Sequence, residues 1–170
     1  MKPTITLCMI VKDETPVIER CLRSVAPFID RYDITDTGST DGTPDKIKEI
    51  MDELGIPGEV YLSDWKGFGN HAGNIGSRTE AFRNADDKAD YAWVIDADDF
   101  VWWRNQIFKT SSIWRYEGVL HEYAACDNGE AKIDRLVGNY SVEARTEGNR
   151  NVGITPTEKY VRDAETLTKA

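Results

Sequence analysis

Three aspartates within four positions form the segment of this sequence whose chemistry is most specific. Asp96, Asp98 and Asp99 directly follow the apolar run Tyr91–Ile95, which is short enough to be a buried strand. Carboxylates crowded at the end of a buried strand are costly unless a positive charge lies among them. Because hard divalent cations prefer oxygen ligands, the segment predicts a metal site. In an open α/β sheet, the C-terminal end of a strand is also where ligands bind.

A second polar segment begins at Asp36 and reads Asp-Thr-Gly-Ser over residues 36–39. The same four residue types are the signature of aspartic proteases, in which two such aspartates share a proton. Those enzymes are all-β, whereas a helix is indicated directly after this segment, at Thr43–Leu54. The spacing leaves two other interpretations open. In the first, Asp36 accepts a hydrogen bond from a ligand, such as the imide N–H of uracil. In the second, Asp36 and Asp41 only cap the loop and the next helix.

The elements that carry these segments alternate between strands and helices. Strands are predicted at Ile5–Val11, Tyr32–Thr35, Val60–Leu62 and Tyr91–Ile95. Helices are predicted from Pro16, capped by Thr15, as far as Pro27, over Thr43–Leu54 and from about Ser77 to Asn84. This order predicts a parallel sheet with helices packed on its faces.

The second half of the chain, after a boundary near residue 100, has a different pattern. Partial period-two alternation at Gly118–Ala125 and Lys132–Arg145 predicts antiparallel strands. Thr155 and Pro156 predict the start of a final helix. At 170 residues the whole chain is expected to be one domain.

Net charge and cysteine usage argue against several classes of function. The chain carries a net charge of −9 and its pI is near 4.8, which disfavours binding to duplex nucleic acid. Cys8, Cys21 and Cys126 show no C-x-x-C spacing, as is typical of reduced thiols rather than of a zinc site or a disulfide framework. The apolar run Ile5–Val11 is too short to span a membrane. We therefore expect a cytoplasmic protein with neither a nucleic-acid partner nor a transmembrane segment.

Four segments, taken in order, closely resemble the motifs of the family 2 glycosyltransferases, which have the GT-A fold. They are Thr6–Glu14, Asp36–Thr43, Asp96–Asp99 and Trp114–Glu122, the last of which is similar to the family's W-x-Y-x-G-x-x-H-E segment. The resemblance implies an α/β protein of the GT-A type, with a mostly parallel central sheet flanked by helices, a small antiparallel β element and a C-terminal helix. It implies a single GT-A domain, with residues 1–100 as the nucleotide-sugar-binding half and residues 101–170 as the acceptor-side half.

The activity that this resemblance implies is a metal-dependent glycosyl transfer. A sugar would move from a uridine diphosphate (UDP) sugar to a hydroxyl group of a saccharide or other acceptor, with inversion at the anomeric carbon. The leaving diphosphate gains negative charge, which Mn²⁺ or Mg²⁺ would stabilise. A histidine ligand would favour Mn²⁺, because Mn²⁺ tolerates imidazole better than Mg²⁺ does.

The resemblance also implies a set of residues for the donor nucleotide. Ile10 and Val11 would hold the base through backbone groups, and Asp36 would accept from the uracil imide. Arg78 would face uracil or the diphosphate. The full implied set is Ile10, Val11, Glu14, Asp36, Arg78, Asp96 and Ala97, with Asp96 at the ribose.

The metal ligands and the general base are expected from the last two motifs. Asp98 and His121 would bind the cation. Glu122 is the leading candidate for the base that takes the acceptor's proton. Because neighbouring residues of a regular strand face opposite ways, a loop or bend is needed there for His121 and Glu122 to face the same site. Asp99 and Asp127 are the alternative bases.

The aromatic residues Trp114 and Tyr116 are candidates for contact with the acceptor. Their rings suit stacking on the apolar face of a sugar, and core packing is the other interpretation of the same residues. Both belong to the last of the four motifs.

Two departures from the family pattern leave other functions open. Arg78 is followed by Thr79, where the family often has asparagine, and only fifteen residues separate Asp98 from Trp114. One alternative is a nucleotide-sugar or glycan-binding module without transfer activity. Another is a sugar nucleotidyltransferase, which would need a glycine-rich, arginine-containing loop where residues 11–14 read Val-Lys-Asp-Glu.

Overall fold

A mostly parallel sheet lies at the centre of the protein. The computed structural model describes residues 2–67, 75–85, 87–97, 107–118 and 123–128, together with residues 153, 155, 158, 161, 164 and 165. Within these residues the strands of the central sheet are β1 (Ile5–Val11), β2 (Arg31–Asp36), β3 (Gly58–Leu62), β4 (Tyr91–Val94) and β5 (Ile107–Lys109), and their spatial order is β3-β2-β1-β4-β5. The helices are α1 (Ile18–Val25), α2 (Thr43–Glu53) and α3 (Ser77–Asn84), with a short 3-10 helix at Ala26–Phe28.

Four strands of the central sheet are parallel and the fifth, β5, runs antiparallel to β4. A separate antiparallel pair is formed by β6 (Trp114–Glu117) and β7 (Tyr123–Cys126). Residues 158, 161, 164 and 165 are helical, after Thr155, whose hydroxyl and N–H share hydrogen bonds with Glu158. The predicted α/β architecture, with a mostly parallel sheet and a small antiparallel element, is confirmed.

Alternation along the strands divides the core between the two faces of the sheet. On one face, Leu7 and Met9 of β1 pack with α1 and α2 around Leu22 and Ile47. On the other face, Cys8 packs against α3 in a second cluster, whose other buried members include Ala81, Phe82, Ala92 and Phe108. Burial raises the pKa of the Cys8 thiol to about 12, so this cysteine stays protonated and acts as a small apolar core residue.

The face covered by α3 also holds a buried charge. Asp33 is fully buried, and its carboxylate is held by Arg31 at 3.0 Å and by Lys88 at 3.1 Å. Thr6 and Tyr61 donate further hydrogen bonds to it at 2.8 and 3.2 Å. A buried carboxylate with this many donors is neutralised within the fold, so Asp33 ties β2 to β1, to β3 and to the segment that follows α3.

Two local predictions are wrong. Helix α1 begins at Ile18 rather than at Pro16, because Thr15 gives its hydroxyl to the carbonyl of Asp41 instead of capping the helix. Residues 118–125 are not one strand: β6 ends before Gly118, which has a φ of 115°, and the pairing is between β6 and β7. The predicted strand at 132–145 lies outside the described residues.

Within the described part of the chain, no helix is both long enough and apolar enough to span a bilayer.

Candidate functional site

The C-terminal ends of β1, β2 and β3 meet along one edge of the sheet. Val11 lies beside Asp36 in register, and Asp36 lies beside Leu62. Side chains that share a register position in a parallel sheet point to the same face, so these three form a row. Asp96 follows the end of β4, on the other side of β1. The edge therefore collects predicted donor residues from separate parts of the sequence.

The loop after β1, residues 12–17, is tied to the loop after β2, residues 37–42. The Asp13 N–H donates to Ser39 Oγ at 2.8 Å, and the Thr40 N–H donates to Asp13 Oδ1 at 2.7 Å. Asp13 has a φ of 54°, a left-handed conformation that is costly for a non-glycine residue. These reciprocal bonds hold Asp13 in that conformation and fix the path of the chain beyond β1.

Asp41 connects the same two loops to the start of α2. Its Oδ1 accepts hydrogen bonds from the hydroxyl and the N–H of Thr43, at 2.6 and 3.0 Å. Its Oδ2 accepts from the Thr15 N–H at 3.0 Å. Desolvation raises the pKa of Asp41, but the hydrogen bonds from Thr43 and Thr15 outweigh it and lower the pKa to about 2. Asp41 therefore has the structural, capping role that its spacing allows.

Asp36 differs from Asp41 because only one of its two carboxylate oxygens accepts a hydrogen bond from the described residues. Its side chain is buried, with an exposed fraction of 3%, and its Oδ1 accepts from the N–H groups of Gly38 and Ser39 at 3.0 and 2.9 Å. Its Oδ2 is buried and has no hydrogen-bond partner among the described residues. A buried acceptor left in this state costs about 1–3 kcal/mol, so this atom is a candidate acceptor for a hydrogen bond from a ligand.

A cavity of about 510 Å³ adjoins Asp36. Its walls come from the ends of β2 and β3 and from the first turns of α2. The lining residues are Asp36, Gly38, Ser39, Pro44, Asp45, Lys48, Leu62, Ser63 and Asp64. Leu62 is 75% exposed and offers an apolar surface beside a polar acceptor, which is a combination that suits a planar, polar-edged ring.

Arg78 and Asp96 form an ion pair at the end of β4. Arg78 Nη2 lies 2.9 Å from Asp96 Oδ1 and 3.2 Å from Asp96 Oδ2. The guanidinium carbon of Arg78 also lies 5.4 Å from the centroid of the Tyr116 ring. The first carboxylate of the aspartate run is thus already paired with a cation from α3, and Ala97 beside it is buried in the core.

The remaining donor candidates from the first motif have three different surroundings. The carbonyl of Val11 accepts from the N–H and the hydroxyl of Thr37, at 2.9 and 3.0 Å. Ile10 is partly buried against the cluster under α3. The Glu14 N–H donates to Thr43 Oγ1 at 2.9 Å, so its backbone belongs to the same network as Asp41. Roles for these residues at a nucleotide stay predictions.

Trp114 and Tyr116 both pack against Phe108. The ring centroids are 5.1 Å apart for Trp114 and 6.2 Å apart for Tyr116, in edge-to-face arrangements. Trp114 Nε1–H donates to the Lys109 carbonyl at 2.9 Å. The backbone N–H of Tyr116 donates a hydrogen bond to Thr79 Oγ1 at 2.9 Å. Contact of either ring with an acceptor stays a prediction.

Four predicted site residues, Asp98, Asp99, His121 and Glu122, lie outside the described residues. Within the described ranges no group of three or more potential metal ligands occurs, so the metal site stays a prediction. Asp127, the other candidate base, forms an ion pair with Arg115.

Thr79 and Glu117 are site-adjacent residues that the sequence did not single out. Glu117 is buried, and its carboxylate accepts from Arg115 Nε at 2.6 Å and from the Tyr123 hydroxyl at 2.5 Å. Because Glu117 and Tyr123 are paired in register, this bond closes the base of the connection that contains His121 and Glu122. The only sequence signal for either residue is its position next to a motif residue.

Comparison with known proteins identifies relatives for a little over half of the chain. The family profile described as Glycosyl transferase family 2 matches residues 6–102. A TPR repeat-containing protein of Synechococcus elongatus is 36% identical over 95 residues, which are 56% of this chain and 20% of that protein. The chain thus spans about a fifth of the length of this curated relative.

Solved structures with some likeness include two of glucosyl-3-phosphoglycerate synthase from Mycobacterium tuberculosis. One is a complex with Mn²⁺, uridine diphosphate and glucosyl-3-phosphoglycerate, at 22% identity and a TM-score of 0.38. The other is a complex with Mg²⁺ and uridine diphosphate, at 20% identity and the same TM-score of 0.38. In each case the match covers 57% of this chain and 34% of the synthase chain.

Proposed function

The chain belongs to glycosyl transferase family 2, and we propose that it transfers a sugar from a UDP-sugar to a hydroxyl group of an acceptor with the help of a divalent cation. Residues 1–100 would bind the nucleotide sugar and residues 101–170 would face the acceptor. The observation that carries the proposal is the buried, unpartnered Oδ2 of Asp36 beside a cavity at the sheet edge. None of the described residues donates a hydrogen bond to that atom.

The hydrogen bonds of Asp36 favour uracil over guanine and cytosine. Uracil presents a single N–H between two carbonyl groups, which matches a single available carboxylate oxygen. Guanine presents two adjacent donors that suit a carboxylate with both oxygens available, whereas Asp36 Oδ1 already accepts from Gly38 and Ser39. Cytosine has no N–H at the corresponding ring position. The exposed side chain of Leu62 would pack against the face of the base.

Within the aspartate run at residues 96–99, one carboxylate would contact the donor and another would bind the metal. Asp96 is paired with Arg78, which leaves Asp98 as the carboxylate of the D-x-D motif for a cation, together with His121. Carboxylate and imidazole ligands fit Mn²⁺, with Mg²⁺ as the alternative. When bound, the cation would stabilise the charge that the departing diphosphate gains.

A general base would take the proton of the acceptor hydroxyl as the hydroxyl attacks the anomeric carbon with inversion. Glu122 and Asp99 are the first candidates, because Asp127 is engaged by Arg115. The acceptor is proposed to be a saccharide or another hydroxyl-bearing molecule near Trp114. We also expect the protein to act in the cytoplasm, where thiols stay reduced.

Nucleotide binding and sugar transfer test the proposal in one series. The melting temperature would be measured with UDP, GDP and CDP, each with and without Mn²⁺, and nucleotide release from a panel of nucleotide sugars would be measured with simple saccharide acceptors. We expect UDP with Mn²⁺ to raise the melting temperature most, because a ligand that binds only the native state stabilises it, and we expect release of UDP from a UDP-sugar.

Other outcomes would identify another function. Binding of UDP-sugars with neither transfer nor hydrolysis would indicate a binding module. Formation of a nucleotide sugar from a nucleoside triphosphate and a sugar phosphate would indicate a nucleotidyltransferase. A preference for GDP would contradict the base assignment.

A further inference from the structure

Tyr116 lies where the β6–β7 hairpin meets the central domain. Its side chain is 9% exposed and belongs to the buried cluster under α3 that also contains Phe82 and Phe108. Its backbone N–H donates to Thr79 Oγ1 at 2.9 Å, in a buried position. The residue is therefore anchored to α3 through both its backbone and its ring.

The ring of Tyr116 also supports one side of Arg78. The guanidinium carbon lies 5.4 Å from the ring centroid, within the range in which a cation is attracted to the face of an aromatic ring. The same guanidinium contacts both oxygens of Asp96, at 2.9 and 3.2 Å. An arginine side chain has many rotamers, and contacts with both the ring and the carboxylate restrict it to few of them.

Two successive contacts connect the β6–β7 hairpin to the residues that are predicted to bind the donor. Tyr116 contacts Arg78, Arg78 contacts Asp96, and Asp96 opens the aspartate run after β4. We propose that Tyr116 is a positioning residue of the donor site: it holds Arg78 in the orientation that fixes Asp96. This inference rests on the proposed function, because it takes Asp96 to lie at the ribose of a UDP-sugar.

The same contacts argue against Tyr116 as a surface for the acceptor. A ring that stacks on a sugar must expose one face, whereas this ring is buried and has Arg78 over it. Our proposal gives Tyr116 a role on the donor side in place of the predicted contact with the acceptor. The hairpin that continues toward His121 and Glu122 would then be coupled to donor binding through one side chain.

The test compares two substitutions of Tyr116 with a matched control. Tyr116→Phe keeps the ring, Tyr116→Leu removes it, and Phe82→Leu removes a different aromatic ring that packs edge-to-face on Phe108 in the same cluster. Titration calorimetry would measure the Kd of UDP with Mn²⁺ at a temperature where each variant is fully folded. We expect Tyr116→Leu to weaken binding by about fivefold to tenfold, and Tyr116→Phe and Phe82→Leu to stay within about twofold.

A second readout does not depend on any ligand. The Arg78 Nε–H resonance, assigned by its loss in Arg78→Lys, should carry a ring-current shift in the wild type and in Tyr116→Phe that disappears in Tyr116→Leu. If the resonance does not move in Tyr116→Leu, the contact is absent and the proposal is overturned.

Kinetics separates the two possible roles of the ring. In Tyr116→Leu we expect the donor KM to rise while the acceptor KM stays unchanged. A raised acceptor KM with an unchanged UDP affinity would overturn the proposal in favour of acceptor contact. Failure of the wild type to bind UDP would refute the proposed function itself, whereas normal binding by both the wild type and Tyr116→Leu would refute only the role of Tyr116.

Discussion

Asp36 is the last residue of β2 and Asp41 lies in the loop that follows, and the oxygens of the two side chains have different partners. Both oxygens of Asp41 accept hydrogen bonds from Thr15 and Thr43. Asp36 uses one oxygen for the turn at Gly38 and Ser39, and its other oxygen has no partner among the described residues. The positive φ of Gly38, 100°, allows the backbone to turn so tightly that only one oxygen is consumed. Two aspartates of one motif thus divide into a structural residue and a residue that we propose binds the ligand.

Replacement of Asp41 should destabilise the protein in a pH-dependent way. The pKa of Asp41 is lowered from 3.8 to about 2 in the fold, so its contribution to stability is complete above its unfolded value and is lost as the pH falls toward the folded value. We expect the wild type to have a higher melting temperature than Asp41→Asn at pH 7. We expect this difference in melting temperature to shrink between pH 5 and pH 3. A difference that stays constant over this range would contradict the assigned role. Asp52→Asn, at an exposed position of α2, is the control.

Residue types predicted the acceptor at Asp36 but not which of its atoms is available. The D-T-G-S segment indicates an aspartate followed by a turn, and the two interpretations of that pattern differ only in hydrogen bonds that depend on the backbone path. The Arg78–Asp96 pair was also beyond reach, because it joins a helix and a strand end that are eighteen residues apart. Asp98, Asp99, His121 and Glu122 stay predictions.

At the scale of elements, the parallel part of the sheet was the most predictable. Strand β1 and helix α3 have the predicted bounds, Ile5–Val11 and Ser77–Asn84, because apolar periodicity in a buried element matches its geometry. The hairpin β6–β7 was misplaced, since a glycine at positive φ, Gly118, separates two short strands whose alternation looks continuous. Strand β5 has three residues, too few for a pattern.

One hydroxyl joins the hairpin to the main body of the fold. Thr79 is 2% exposed, and its Oγ1 accepts the Tyr116 N–H. In Thr79→Val the shape is kept and the buried N–H loses its partner, so we expect the free energy of unfolding in urea to fall by about 1–3 kcal/mol. Thr79→Ser keeps the hydroxyl and is the matched control.

Hydrogen exchange distinguishes loss of this bond from a change in packing. The Tyr116 amide should exchange faster in Thr79→Val than in the wild type, while Thr79→Ser should preserve its protection. Equal protection in Thr79→Val and Thr79→Ser would show that the hydroxyl does not hold β6 to α3.

At the scale of the whole molecule, the net charge of the chain has the same sign as the charge of the proposed donor. The chain carries −9, and the proposed donor is a diphosphate anion, so the general field of the protein repels it. In the proposed function, local positive charge would come from basic side chains near the site, such as Arg78 and Lys48, and from a divalent cation. This balance would let an acidic protein bind an anionic nucleotide, and it predicts that the affinity depends on the metal.

The most direct test of the donor assignment combines a change in the ligand with a change in the protein. The Kd values of UDP and of 3-methyl-UDP, which lacks the imide N–H, would be measured with Mn²⁺ for the wild type and for Asp36→Asn. Because the bond to a charged acceptor is worth about 1.5–3 kcal/mol, we expect the wild type to prefer UDP by about tenfold or more. In Asp36→Asn, where an amide replaces the accepting oxygen, the preference should disappear. Equal affinity of the wild type for UDP and 3-methyl-UDP would contradict the assignment of Asp36 as the acceptor for the base.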